Sequence, residues 1–130
     1  MPYLFTDAAT GVPQNLDDIA NELRQQIDQL PPTDPQQLAK QQLGQETDVA
    51  FLVVVRGNET PHIHPESDLT FSVLEGGGYL ELQSGNLDAP AGMTIIVPQG
   101  TCHAYYNTSP TDSVLIATFS PPSPGRADCP

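Results

Sequence analysis

Two of the chain's histidines stand close together, in Pro61-His62-Ile63-His64-Pro65. On an extended strand that spacing puts both imidazoles on one face, where they can bind a single metal ion. The third, His103, follows the turn residues Pro98-Gln99-Gly100 and opens another β-type run, so folding can bring it beside the pair. Three neutral nitrogen donors cover one face of a coordination sphere and leave positions open for water or substrate. Tyr105 is predicted on the same strand face as His103. There it either meets a substrate as a catalytic residue or is a core aromatic with its hydroxyl satisfied. Glu66 and Asp68 follow the histidine pair in a loop, where acids are ordinarily solvated and less often assist proton transfer. Arg56 is read as a surface ion-pair partner more readily than as a carboxylate clamp.

These side chains need strands to hold them. From about Thr47 the texture is of short β-type runs separated by Gly, Pro and Asn, predicting strands near 48–56, 61–64, 69–75, 78–83, 93–97, 102–107 and 113–119. Gly76-Gly77-Gly78 is read as a hairpin turn, and Ser84-Gly85-Asn86 and Pro98-Gln99-Gly100 as further turns. Many short strands with close turn signals predict an antiparallel sandwich or barrel. Ahead of them, Leu16, Ile19, Ala20, Leu23, Ile27 and Leu30 form one stripe of a helix, with Asn15 placed to cap it and Pro31-Pro32 to end it. A second, shorter helix is predicted from Asp34 to Leu43, stopped by Gly44. The expected organisation is an N-terminal helical extension over 1–46, a β domain over 47–120 and a Pro-rich tail over 121–130. The tail is expected to act as a strap over the surface or a lid over the barrel mouth.

The histidine motifs resemble those of the cupins. Their first motif is a Gly, a short spacer, His-x-His, a Glu and a closing Gly; here Gly57, His62, His64 and Gly76 stand in that order. Their second motif is matched at every spacing by Gly92, Pro98, Gly100, His103 and Asn107. The resemblance covers roughly residues 47–120 and implies an all-β, cupin-type antiparallel β-barrel (a double-stranded β-helix or jelly roll), with His62, His64 and His103 as metal ligands. It also implies a homodimer. Counting back from Gly76 puts Leu69 where the family usually has a metal-binding Glu. Alternation over Leu69-Thr70-Phe71-Ser72-Val73 likewise turns 69, 71 and 73 inward. A three-histidine site follows, with Asp68 left open as a fourth ligand.

Three imidazoles neutralise none of the charge of a divalent metal, so such a site favours anionic, chelating ligands. On this point the chain resembles three-histidine iron(II) dioxygenases that open diketones or oxidise small thiols. The expectation is a mononuclear non-haem enzyme, with Fe favoured and Ni, Zn, Mn, Cu or Co also suited to the donor set. The alternatives are a non-catalytic metal-dependent ligand-binding or sensing cupin, and an isomerase or lyase using the metal as a Lewis acid.

Composition narrows the partners. The 130 residues carry 4 Lys+Arg against 16 Asp+Glu, a formal net charge of −12. Such a chain repels phosphate backbones and anionic lipid, which disfavours nucleic acid and membrane surfaces and leaves a small molecule as the expected partner. No apolar run approaches the length of a membrane span. The opening residues show no secretory signal, so a cytoplasmic location is expected. Cys102 and Cys129 lack CxxC spacing and are read as two reduced thiols, Cys102 as a small core residue. No phosphate-cradling loop with a lysine and no Gly-x-Ser-x-Gly nucleophile motif competes with the histidines.

Overall fold

The computed structural model describes residues 4–6, 13–45 and 47–130; Asp7, part of the acidic N-terminal segment, lies outside the described residues. Short strands β1 (Leu4–Thr6) and β2 (Pro13–Asn15) pair antiparallel and lead into α1 (Leu16–Asp28). The Asn15 side chain accepts from the Asp17 and Asp18 N–H groups at 2.9 and 3.3 Å, satisfying donors that the first helical turn leaves unpaired. Leu16, Ile19, Ala20, Leu23 and Ile27 are buried along one face, as the stripe predicts.

What that face covers is clearest from β4 (Val49–Val55), which is apolar at every position and buried at all but Phe51. Such a run belongs to a strand covered on both sides. Ala50, Leu52 and Val54 turn outward and pack with the helix stripe, Leu43 and Val114. Val49, Val53 and Val55 turn inward to a second core, made with Leu69, Phe71, Val73, Leu80, Tyr105, Leu115 and Phe119. Period-2 alternation on one strand thus feeds two apolar layers. The inner core lies between two five-stranded antiparallel sheets. One runs β3 (Leu38–Gln45), β4, β11 (Ser113–Ser120), β6 (Asp68–Glu75), β9 (Thr94–Val97). The other runs β12 (Ala127–Asp128), β5 (His62–Ile63), β10 (His103–Asn107), β7 (Gly77–Leu82), β8 (Gly85–Pro90). This is the jelly-roll arrangement, an all-β fold with one N-terminal helix, and the two sheets remain separate hydrogen-bonded units.

Four expectations are corrected. The second helix expected from Asp34 to Leu43 is not formed: Leu38–Gln45 is β3 and pairs with β4 from Leu38↔Val55 to Gln45↔Val49. The apolar face of that helix would have been thin, whereas the open edge of β4 offers hydrogen bonds, and alternation buries Leu43 on the helix side; tertiary pairing overrides local propensity. Gly76 and its neighbours do not close a hairpin, because β6 and β7 lie in different sheets. Gly76, at φ +77°, turns the corner between them, and a Cβ on Gly78 would collide with the Tyr106 carbonyl. β8, unassigned in the sequence, supplies the true hairpin with β7, in register from Gly77↔Pro90 to Leu82↔Gly85. Finally, Cys102 and Cys129 are joined in a disulfide rather than being reduced thiols. Cys102 is half-buried, and the bond ties the chain end to the strand that begins with His103. Among the described residues no helix is long and apolar enough to cross a membrane.

Candidate metal centre

The three histidines arrive from two neighbouring strands. β5 and β10 are antiparallel with His62 directly opposite His103, and His64 follows β5 immediately. All three are buried. Their ligand atoms lie within 4.8 Å of one another, close enough to surround one ion. The turn before His103 is anchored to the pair, since the Gly100 N–H donates to the His64 carbonyl at 2.9 Å.

The protons on the rings are set by their partners. Nδ1 of His62 donates to the Thr60 carbonyl at 2.7 Å, and that of His103 to the Thr101 carbonyl at 2.8 Å. His64 Nδ1 donates to the carbonyl of Gly125 at 3.2 Å. A carbonyl can only accept, so each Nδ1 carries the hydrogen and each Nε2 keeps its lone pair. Burial disfavours the imidazolium and lowers the pKa of all three, that of His62 to about 3, so at neutral pH these rings are uncharged. His103 Nε2 is buried with no hydrogen-bond partner at all. An orphaned buried acceptor is costly unless something occupies it. A divalent metal fits: it requires neutral imidazole nitrogens converging on one point, with the opposite ring nitrogen held by a carbonyl.

These nitrogens open into a cavity of ≈ 70 Å³ between the sheets. Phe51, Val53, Leu69, Phe71, Leu115 and Phe119 are among the apolar side chains of its wall. The Phe119 ring stands edge-on to His64 at 4.7 Å between centroids. Leu69 is buried there, as its alternation predicts, while Thr70 and Ser72 are not. Asp68 is exposed and accepts from the Gln99 N–H at 2.8 Å, outside the histidine cluster. Tyr105 is buried and lines the cavity, but its hydroxyl donates to Ser113 Oγ at 2.9 Å, which in turn reaches Asn107 Oδ1 at 2.7 Å. Glu66 is exposed. Arg56 lies away from the cavity, paired with Asp28 at 2.6 Å and Asp112 at 3.6 Å.

Sequence reasoning missed three polar residues of the cavity: Lys40, Glu59 and Arg126. Lys40 sits on the strand expected to be a helix, and its ammonium lies 5.2 Å from the Phe51 ring centre. Glu59 has no patterned neighbours that would single it out. Its carboxylate accepts from the Tyr105 N–H at 3.0 Å, and burial raises its pKa, favouring the protonated form. Arg126 lies in the Pro-rich tail, where no periodicity assigns an element. The tail is a strap: Ser67 Oγ donates to the Pro121 and Ser123 carbonyls at 2.6 and 2.7 Å, and β12 pairs with β5.

Comparison with known proteins agrees with this geometry. The Cupin domain sequence family matches residues 46–119. A protein of Aquifex aeolicus (strain VF5) described as uncharacterized is 45% identical over 76 residues, 58% of this chain and 62% of that protein. Oxalate oxidase 1 of Hordeum vulgare is 31% identical over 77 residues, 53% of this chain and 38% of that protein. The chain therefore spans less than two thirds of the length of these relatives. Among solved structures, a recombinant oxalate oxidase in complex with glycolate superposes with a TM-score of 0.65 at 20% identity, covering 76% of this chain and 58% of the other. KdgF from Halomonas sp. superposes with a TM-score of 0.61 at 23% identity, covering 70% and 84%. With the family's sequence pattern across more than half its length and the jelly roll that goes with it, this chain belongs to the cupin family.

Proposed function

We propose that this cupin is a mononuclear metal enzyme of the dioxygenase type, acting on a small chelating organic anion, with His62, His64 and His103 as the metal ligands and iron(II) as the metal. The observation that carries this reading is the buried His103 Nε2 without a partner, beside two further neutral imidazoles. A divalent metal on three nitrogens would supply undiminished Lewis acidity and open positions for a chelating anion and for dioxygen. Support also comes from the similarity to oxalate oxidases, one of which is solved with glycolate.

The chain's own residues do the rest. The carbonyls of Thr60, Thr101 and Gly125 hold the imidazoles in one tautomer. The phenyl and aliphatic walls exclude bulk water, which strengthens electrostatic attraction to an anion inside. Tyr105 contributes the face of its ring, because its hydroxyl is engaged by Ser113. Burial raises the pKa of Glu59 and so favours the carboxyl form, the one able to donate a proton, at the wall of the same cavity. As in other small cupins, two copies are proposed to pair; Ile96, 69% exposed on the edge strand β9, offers an apolar contact for that pairing.

The test is metal content of untagged protein purified without chelator, beside His62→Ala and His103→Ala, followed by oxygen uptake of the iron-loaded protein with hydroxy acids, diketones and thiols. Near-stoichiometric metal in the parent alone, with uptake that vanishes in His103→Ala, is expected. Saturable ligand binding without turnover would favour a binding or sensing cupin. Conversion under nitrogen would favour a Lewis-acid isomerase or lyase. A parent that takes up no metal on reconstitution would refute the reading.

A further inference from the structure

The chain has four basic side chains among 16 acids, so each cation has carboxylates in abundance. Arg24 and Arg56 behave accordingly. Arg24 grips Asp112 with two nitrogens at 3.1 and 3.2 Å, and Arg56 binds Asp28. The other two do not: among the described residues neither Lys40 nor Arg126 makes an ion pair. Both line the histidine cavity. Lys40 lies over a phenyl ring, and among the described residues the side-chain hydrogen bond of Arg126 is a long one, 3.4 Å to the Thr60 carbonyl. In so acidic a protein, the two cations without a direct carboxylate contact are the ones that line the site, where Glu59 is the acid whose charge reaches both. An exposed guanidinium with most of its five donors uncommitted is suited to a carboxylate, which it can grip through two parallel hydrogen bonds.

The position of Arg126 depends on the strap. Gly125 receives the His64 Nδ1 hydrogen, and Ala127 and Asp128 pair with Ile63 and His62. The Cys129–Cys102 disulfide then closes the strap beside His103. A two-residue strand holds few hydrogen bonds; the Ser67 and His64 contacts fasten the strap ahead of Arg126, and the covalent link fastens it on the other side, so that the guanidinium is held over the cavity from both ends.

We infer that Arg126 is the anion-recognition residue of this site, selecting small ligands that carry a carboxylate besides a metal-binding oxygen, and that the Cys102–Cys129 disulfide holds it in place. The inference rests on the metal-site reading and goes beyond it in assigning ligand charge, the residue that reads it and the covalent bond that positions it.

The experiment uses full-length zinc-loaded protein, which is redox-inert, with zinc content measured for every variant. Calorimetric affinities are compared for glycolate and for glycolamide, its uncharged counterpart. Arg126→Gln should weaken glycolate about tenfold or more, roughly 1.4 kcal/mol, while leaving glycolamide within about twofold. Arg126→Lys should restore part of the loss. Cys129→Ser, and the parent after reduction with a phosphine, should lose glycolate selectivity as Arg126→Gln does. Unchanged glycolate affinity in Arg126→Gln, or an equal loss for both ligands, would overturn the assignment. Full selectivity in Cys129→Ser would overturn the role of the disulfide. Failure of the parent to hold zinc would overturn the metal-site reading itself, and the inference with it.

Discussion

The acid sensitivity of the metal-free protein follows from His62 and can be given a magnitude. In the folded chain its pKa is lowered from 6.5 to about 3, chiefly by burial. As pH falls below the unfolded value, the unfolded chain binds a proton that the folded chain refuses. The stability linked to His62 is therefore fully present above about pH 6.5 and is lost as pH falls towards about 3. Within that window the slope approaches about 1.4 kcal/mol per pH unit, so passing from about pH 6.5 to about pH 4.5 removes about 2 kcal/mol. His62 is 3% exposed, so solvent screening takes little from this figure. The assay is urea unfolding of chelator-dialysed protein at both pH values, for the parent and for His62→Gln. The substitution changes packing at both pH values alike, so subtraction reports the titration of His62 together with its coupling to His64 and His103. The parent should lose about 2 kcal/mol more than the variant. Equal losses within about 0.5 kcal/mol, or a His62 ring that titrates near its ordinary value by NMR, would refute the burial argument. Bound zinc should delay the acid loss, because metal and proton compete for the same nitrogen.

Other perturbations have equally definite outcomes. Leu23→Ala removes a side chain with no exposure from the layer between α1 and the sheet, and should cost about 2–5 kcal/mol in chemical unfolding. Gly78→Ala drives a methyl group into the Tyr106 carbonyl and should lower the melting temperature by several degrees, since a loss of about 1 kcal/mol already moves it by about 4 °C in a domain this size. Ser113→Ala leaves the buried Tyr105 hydroxyl without its acceptor and should cost about 1–3 kcal/mol, with zinc binding unchanged. Asn15→Ala should cost about 1 kcal/mol through loss of the helix cap, read in the same unfolding assay.

The histidine site was legible because its signals are local. His62 and His64 share a short strand segment, and the Pro98–Asn107 stretch carries both the turn and the strand on which His103 sits. The inward set Leu69, Phe71 and Val73 follows from strict alternation and is buried as such. The α1 stripe and its Asn15 cap are likewise within a few residues of one another. Where local signals were weak, distant contacts decided. Residues 38–45 have too few apolar positions to choose between helix and strand, and the open edge of β4 settles them. Gly76 looks like a hairpin turn until its flanking strands are seen to belong to different sheets.

By itself, then, the sequence determined which three histidines could hold a metal and which face of each patterned segment is apolar. Only the tertiary structure decided what surrounds the three histidines. Glu59 reaches the cavity by pairing with Tyr105 across 46 positions of sequence. Arg126 reaches it because Gly125, β12 and the Cys102–Cys129 bond fasten the tail to β5 and to the residue before His103. The physical reason is one of range. Periodicity and spacing report contacts made within a turn or a strand, whereas the cavity is lined by groups whose proximity depends on how sheets pair and how the chain end is tied down.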